Sequence, residues 1–513
     1  MDLENEYDVV IVGAGAAGCA LAYRLTTDSG LRVLLLEAGL DERPEAVAVP
    51  ARWLEAMFGP LDYGYASVPQ VAAGGRVIPA PRGRVLGGST AINAMIHARP
   101  APDDLDTWGP GWTYAECAPT LAALESHRGG GETRGTTGPA VNGWARHPNQ
   151  LNLDFVGAAV EAGHPAAEDL NLPGAQGAGR FDLAIGEDGL RADAAQSYLR
   201  STPDSPNLHV VTDVRVTRLH LSEDRVTALT VVRAGSEERV PITGELVLCT
   251  GAIDTPALLL RSGLGPVDEL SALGIPPVLD LPGVGRNLHD HPAVPVIWSS
   301  EAEVDPPENQ FAETALLLRH APEANGQTMS IAFHHIAVLP PEASPPANGA
   351  TALVGLYEVH SRGTLTLDPF NLDGPPLIDP AYFTDDRDVA ALAAAIRVAR
   401  NVGQQPGLSA YGLTELVPGS EVQSQEALED FVRNASISYA HPVGTCAMGS
   451  SEESVVDADL KVRGTSNLRI ADASIIPTIP GVAPSVTIQM IGWRAAELIQ
   501  AALEPRALST VST

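Results

Sequence analysis

The chain opens on a run with no polar face. Val9-Val10-Ile11-Val12 follows Tyr7-Asp8, and a glycine turn, Gly13-Ala14-Gly15-Ala16-Ala17-Gly18, ends it. A short apolar run bounded by glycine reads as a strand buried on both faces. An Ala/Leu-rich helical stretch from Cys19 to about Thr26 comes next, then a second buried strand, Arg32–Leu36, ending at Glu37. Strand, turn, helix and strand in close succession predict the unit that starts a doubly wound parallel α/β sheet. Residues 40–150 are rich in Gly and Pro and lack strong periodicity. Within them Gly129–Gly131 and Thr133–Pro139 read as surface loop. Leu153, Phe155, Val156, Ala159 and Val160 predict a helix over 151–165. A strand pair is expected near Leu208–Val211 and Val226–Val232, and a buried strand at Leu246–Thr250 leads into a helix at Pro256–Arg261. Residues 300–350 read as short strands with a Pro-rich loop, Leu339–Pro346. Asp386–Asn401 reads as an amphipathic helix, and Thr487–Leu503 as the last one. No internal repeat is visible.

Composition narrows the function classes. A chain of 513 residues exceeds one ordinary domain of ~100–200 residues. With 32 Lys+Arg against 63 Asp+Glu, the net charge of −31 repels nucleic acids and anionic membranes. Lys461 is the only lysine, so Schiff-base chemistry has one candidate. Cys19, Cys117, Cys249 and Cys446 lie far apart without a CxxC, which argues against a disulfide framework, a zinc site or an iron–sulfur cluster. The N-terminus carries Asp2, Glu4, Glu6 and Asp8 where a signal peptide needs positive charge, and no run reaches ~18 apolar residues. The expectation is a soluble cytoplasmic protein with no nucleic-acid or membrane partner.

Four segments carry candidate chemistry. The GxGxxG turn lets the backbone approach a pyrophosphate at a helix N-terminus. Glu37, nineteen residues past Gly18, ends the second strand where it can accept from ribose hydroxyls, which favours FAD or NAD over NADP. Arg82–Asn93 holds paired glycines, Gly87-Gly88, and an Asn amide to place beside a heterocycle. Gly251–Gly265 has a strand end, a Thr-Pro helix start and a Gly stop, and Gly283–Pro292 follows with His289-Asp290-His291. That cluster invites a metal reading. A polar turn that ties elements together is preferred, because no further ligands sit at metal spacing, so no metal is expected. The fourth segment pairs His441–Gly449 with Ile470–Thr487, where Asp472 either accepts from a ribityl chain or caps a turn.

Read together, GAGAAG with Glu37, RGRVLGGSTAIN at 82–93, GLRADAAQSYL at 189–199, GAIDTPALLLRSGLG at 251–265, GVGRNLHDHP at 283–292, HPVGTCAMG at 441–449 and the tail 472–487 resemble the glucose–methanol–choline (GMC) flavoprotein family almost end to end. The resemblance implies a Rossmann-like FAD-binding domain from 1–150, 198–295 and 431–513, with an FAD-covering loop at about 40–100. An α+β substrate-binding domain built on an antiparallel sheet would be inserted at 151–197 and 296–430. It implies oxidation of a small-molecule alcohol to an aldehyde or ketone, with O2 or another acceptor taking the electrons. His441 would be the general base, taking the hydroxyl proton as hydride passes to flavin N5. Gly13, Gly15 and Gly18 would hold the pyrophosphate, Glu37 the adenosine ribose, and the Val214 backbone the adenine. Gly88 and Asn93 would sit near the flavin ring, and Asp472 and Ala473 near the pyrophosphate–ribityl region. Ala14, Ala16, Ala38, Val85 and Thr487 complete the implied cofactor set.

Two departures from the family pattern bear on chemistry. Ile92 stands where members with covalent flavin can carry a histidine, so FAD is expected to be non-covalent. Ala483 stands where an Asn or His usually joins the base on the substrate oxygen. Ser485, Tyr439, His334, His335 and His360 are candidate replacements. That loss keeps open a redox-silent hydroxynitrile-lyase-type activity, and a light-driven decarboxylase is a further reading on the same scaffold. An NAD-dependent dehydrogenase and a non-catalytic flavin module rank lower. The acidic balance favours a neutral or cationic alcohol over a carboxylate. Glu313, Glu358 and Asp368 are possible pocket acids, with surface positions the better reading.

Overall fold

Five short strands of Val, Leu and Ile form a fully parallel sheet in the order Leu468–Ile470, Glu245–Leu248, Val9–Val12, Val33–Leu36, Leu208–Val211. The computed structural model describes residues 6–201, 205–324, 326–339 and 344–503. Val9–Val12 and Val33–Leu36 are buried at every position. Burial on both faces is why their sequences run apolar without alternation. Helix Ala16–Asp28 packs against the last helix, Ser485–Leu503, in the same core.

A second, seven-stranded antiparallel sheet runs Thr414–Val417, Pro292–Ser299, Gly349–Leu356, Met329–His334, Ala312–Leu318, Gly177–Arg180, with Ile437–Ser438 also paired to Pro292–Ser299. Its own apolar cluster joins Val294, Val296, Leu316, Ile331 and Phe333 to Val389, Leu392 and Ile396 of the helix Asp386–Gly403. Phe155 of the helix Gln150–Glu161 stacks on Phe333 at 4.2 Å. One sheet therefore has helical cover on a face and leaves the other face toward the first sheet.

Several expectations are corrected. Leu208–Val211 does not pair with Val226–Val232. It extends the parallel sheet beside Val33–Leu36, while Arg225–Arg233 makes an antiparallel meander with Val214–Ser222 and Ser236–Pro241. The tight turn at Glu223-Asp224 makes that local pairing available. Residues 40–150 hold a helix, Tyr114–Leu124, closed at its start by a Thr113/Glu116 capping box and burying Cys117, Leu121 and Leu124. Pro119 inside it hides the periodicity. Thr133–Pro139 is exposed at Thr133, Thr136 and Thr137, as a surface loop would be, but Arg134 within it is buried, pairing with Glu125 at 3.0 Å and Asp182 at 2.7 Å. A second unforeseen helix spans Gln425–Ala435. Strand Pro292–Ser299 crosses the expected boundary at 295/296, and Leu365, Leu367 and Ile378, expected with the inserted segment, lie in the parallel-sheet core. Residues 340–343 of the Pro-rich loop lie outside the described residues. Among the described residues no helix is long and apolar enough to cross a membrane.

Candidate active site

The carboxyl ends of the parallel strands open on one cavity of about 990 Å³ that continues to the antiparallel sheet. Strand Val9–Val12 turns out of the sheet at Gly13 with φ +100, and a Cβ there would lie 2.5 Å from the Cys249 carbonyl oxygen. Only glycine permits that turn. Helix Ala16–Asp28 then starts without a side-chain cap or an acidic first turn. Its unshielded N-terminus borders the cavity through Gly15 and Ala16. A Cβ on Gly15 would meet nothing nearer than Gly88 Cα at 4.0 Å, so the space beside the helix start is open to a ligand. Uncapped N–H groups and a positive dipole end suit a pyrophosphate.

Glu37 lines the cavity with Ala38 and Val214. Its carboxylate accepts from Ala14 N at 2.8 Å and Gly39 N at 2.7 Å. Burial raises its pKa, and those two bonds pull it back. The Val214 N–H is spent on the Glu37 carbonyl at 2.9 Å. Asp472 and Ala473 also line the cavity. Each Asp472 oxygen takes two donors: Oδ1 from Ser474 N at 2.8 Å and Ser474 Oγ at 2.6 Å, Oδ2 from Gly251 N at 2.8 Å and Thr255 Oγ1 at 2.6 Å. Of the two readings of Asp472, the cap is the one its bonds fulfil. Gly88 and Asn93 form another wall. Asn93 Oδ1 accepts from Met95 N at 2.9 Å and from buried Arg191 Nη1 at 3.0 Å, which leaves the Asn93 Nδ2 end for a ligand.

Four residues of the implied cofactor set do not line the cavity. Ala14 acts through its backbone, which holds Glu37 and accepts from Gly87 N at 2.8 Å. Gly18 packs against the Gly13 carbonyl, where a Cβ would come within 1.9 Å. Val85 sits in a small apolar cluster with Val47 and Ile92. Thr487 is buried on the first turn of helix Ser485–Leu503, and its Oγ1 has no protein partner. A buried hydroxyl without a partner, at a helix start bordering the cavity through Ser485 and Ile488, fits a polar ligand edge.

At the other end stands His441. Its backbone N–H donates to Asp290 Oδ1 at 2.7 Å, and Asp290 Oδ2 accepts from Tyr382 Oη at 2.5 Å and from the Ser438 hydroxyl. The His441 ring stacks on Tyr439 at 5.5 Å and meets His291 edge-on at 5.2 Å. His291 lies with Nε2 3.1 Å from the Tyr357 carbonyl oxygen and Nδ1 3.0 Å from His441 Nδ1. The Pro480 carbonyl also lies against this ring, but Tyr357 O meets Nε2 directly, and a carbonyl only accepts, so the His291 proton is assigned to Nε2 and its Nδ1 is taken as an acceptor. His441 must then carry its proton on Nδ1, leaving a bare lone pair on Nε2. Burial first, then His291 and Arg82, hold the His441 pKa well below its ordinary value. Burial also pulls His291 down to about 3. Both rings are neutral near pH 7.

The turn read as a polar tie is one, and what it ties is His441. Asp290 fixes the His441 backbone and His291 its ring. His289 bonds Asn287 O at 2.6 Å through Nδ1 and accepts from Ile479 N at 2.9 Å through Nε2, so both nitrogens are engaged. Among the described residues no cluster of three metal-ligating side chains exists. The pairing of Pro292 with Ser438 and Ala293 with Ile437 brings the two segments together. Nothing in the sequence spacing signals that contact.

The other candidates divide. Ala483, Ser485, Tyr439 and His334 line the cavity, whereas His335 and His360 do not. His335 is bound by Asn152 at 2.6 Å and His360 by Asp388 at 3.3 Å. The Tyr439 hydroxyl is spent on Leu353 O at 3.0 Å. None of the proposed pocket acids reaches the cavity. Glu313 is buried against Asn149 N at 2.7 Å, Glu358 is largely exposed, and Asp368 caps the Phe370 N–H at 2.9 Å.

Comparison with known proteins bears on the family of the whole chain. Two family profiles described as GMC oxidoreductase match residues 7–293 and 359–492. The chain is 33% identical to choline oxidase of Arthrobacter globiformis, over 97% of this chain and 95% of that protein. It is 33% identical to mitochondrial choline dehydrogenase of Mus musculus, over 97% and 90%. Among solved structures, pyridoxine 4-oxidase from Mesorbium loti aligns with a TM-score of 0.90 at 31% identity, covering 96% of this chain and 99% of that one.

Proposed function

From the premise that the chain belongs to the GMC oxidoreductase family and is an FAD-dependent oxidoreductase acting on CH–OH groups, we propose that it oxidises an alcohol to an aldehyde or ketone with His441 as general base. FAD, when bound, supplies the acceptor for the carbinol hydride at N5. His441 Nε2 takes the hydroxyl proton, so the substrate gives up one proton and one hydride and leaves as the carbonyl compound. O2 or another acceptor then takes the two electrons.

The observation that carries this reading is the His291–His441 contact, Nδ1 to Nδ1 at 3.0 Å. It leaves a neutral imidazole whose free nitrogen is the one that can accept a proton. Protonated His441 keeps the same partner as a hydrogen-bond acceptor, and its charge favours negative charge on a neighbouring group. The N-terminal end of helix Ser485–Leu503, bordering the cavity at Ser485, adds a positive dipole end. At the nucleotide end Gly13, Gly15 and Ala16 hold the pyrophosphate, and Glu37 offers its remaining lone pairs to the ribose. Ile92 borders the cavity and offers no nucleophile, in keeping with non-covalent FAD. The missing polar side chain at Ala483 is the ground for a redox-silent lyase. His291 gives His441 an orienting partner from another element, and no observation favours the lyase.

The test is anaerobic mixing of the holoprotein with a panel of primary and secondary alcohols, followed at the oxidised flavin band. Bleaching by an alcohol supports the reading, and recovery in air reports O2 as acceptor. A holoprotein that no alcohol bleaches overturns it. Acid precipitation should leave the flavin in the supernatant.

A further inference from the structure

The substrate end of the cavity is a sheet face. Strand register sets two cross-strand rows against it, Pro295–Leu353–Ala332 and Ile297–Thr351–His334. The first row is apolar. In the second, the Thr351 hydroxyl is spent, donating to Ile336 O and accepting from Val338 N, both at 2.9 Å. His334 Nδ1 lies 3.2 Å from Ala332 O, and burial pulls its pKa down to about 4, so the ring is neutral near pH 7. The platform itself carries no charge.

The acids that line the cavity are confined to one end, where Arg84, Arg215 and Arg261 accompany them. Among the described residues the lining acids are Glu37, Asp254, Asp373 and Asp472. All four belong to the nucleotide end. Glu37 and Asp472 follow parallel strands, Asp254 is on helix Gly251–Arg261 bound by Tyr65 at 2.8 Å, and the Asp373 carbonyl accepts from Arg215, next to Val214. The reacting end has two guanidinium groups instead. Arg82 donates to the carbonyl of Ala440, the residue before His441. Arg76 donates to Ser436 O at 2.8 Å, just before the paired strand Ile437–Ser438, and its Nη1 is buried with no partner. Among the described residues neither makes an ion pair. Asp290 lies near Arg82, but its oxygens are taken by three donors and it does not line the cavity.

Resting on the alcohol-oxidation reading, we infer that this site takes alcohols with an apolar body and no positive charge, and discriminates against quaternary-ammonium alcohols. A cation here would enter an acid-free, apolar space beside two like charges, and His441 gains a third during turnover. Aromatic faces are the alternative means of holding such a cation. Here Tyr357 is stacked on His291 at 4.6 Å and Tyr439 on His441 at 5.5 Å, while Trp53 and Phe311 pack on each other at 5.5 Å. Local charge thus runs opposite to the acidic balance of the whole chain, which had favoured neutral or cationic alcohols.

The test uses a matched pair of equal shape, choline and 3,3-dimethylbutan-1-ol, in which carbon replaces the quaternary nitrogen. Binding to the oxidised holoprotein is read from the perturbed flavin spectrum, and reduction from anaerobic bleaching. The neutral alcohol should bind about tenfold or more tighter than choline, like charges in a partly desolvated site being worth at least this factor. Arg76→Met should narrow that ratio. Choline binding as tightly or tighter overturns the inference, and so does a site that binds neither. Tighter binding of the neutral alcohol without bleaching sustains the charge selection and counts against the redox reading instead, so the two fail separately.

Discussion

The two ends of the cavity are assembled in different ways. At the nucleotide end the groups proposed to meet FAD are backbone or are held by backbone. Gly13 turns the chain, helix Ala16–Asp28 leaves its N-terminus uncapped, and Glu37 and Asp472 spend their oxygens on nearby N–H and hydroxyl donors. At the reacting end the working groups are side chains from separated stretches: His441 from the loop after Ile437–Ser438, His291 from the start of Pro292–Ser299, and the platform from three neighbouring strands. The first end is a rigid mould whose parts support one another. The second depends on single contacts, so single substitutions there should change chemistry while leaving the mould intact.

His441→Ala is the largest expected break in that comparison. Removing a general base costs roughly 10²–10⁴-fold in rate. FAD content should stay at the parent level, because no group of the nucleotide end is touched. Rapid-mixing measurement of flavin reduction, with FAD counted per chain, separates the two. A parent-like rate would put the base elsewhere. The pH dependence has a definite sign. Burial holds the His441 pKa below its ordinary value, so the ring is already neutral near pH 7. Reduction should be flat from neutrality upward and fall only as acid protonates the ring, with its midpoint below ~6.5. A midpoint above that value would contradict the burial argument.

Asp472→Ala is the matching break at the other end. It strands the Gly251 and Ser474 N–H groups and the Ser474 hydroxyl in the interior, and leaves the Thr255 hydroxyl with Thr250 Oγ1 alone. Each unsatisfied buried donor costs ~1–3 kcal/mol. The variant should melt several degrees lower and lose FAD on dilution, yet reduce whatever flavin it retains at close to the parent rate. A variant that keeps FAD and stability but reduces slowly would erase the division between the ends.

How much of each end the sequence discloses follows the same division. The strand, the GxGxxG turn and Glu37 lie within one βαβ unit, so spacing alone places them, and they meet as expected around the helix start. Arg191 was visible only as part of a motif. Its role, bonding Asn93 Oδ1 at 3.0 Å and Asn93 O at 2.6 Å from below, needs the tertiary fold. A second group for the substrate oxygen, in place of Ala483, was sought among Ser485, Tyr439, His334, His335 and His360, and a partner behind the His441 ring was not looked for. That partner is His291, 150 residues away in sequence, delivered by pairing between Pro292 and Ser438. Periodicity cannot disclose a contact made by strand register between distant segments. The surface reading of Thr133–Pro139 missed one residue for a related reason. Arg134 looks polar and exposed in sequence, and is buried because Glu125 and Asp182 come to it.

The smallest effect is the sharpest test of the reacting end. His291 does not line the cavity, so it acts on substrate only through His441. His291→Phe keeps a flat ring but removes the acceptor at Nδ1 and the donor to Tyr357 O. His441 then loses the bond that fixes its tautomer, and the reduction rate should fall about tenfold, the worth of one buried hydrogen bond of ~1–2 kcal/mol. Alcohol affinity and FAD content should be unchanged, since neither ligand meets this side chain. His291→Asn offers a carbonyl to His441 Nδ1–H and an amide N–H to Tyr357 O, so it should recover most of the rate. A merely structural role predicts the opposite ranking. Phe would fill the space better than Asn, and any loss would appear in melting temperature and affinity together. Equal rates in both variants would leave His441 oriented by its Asp290 anchor and the Tyr439 stack alone.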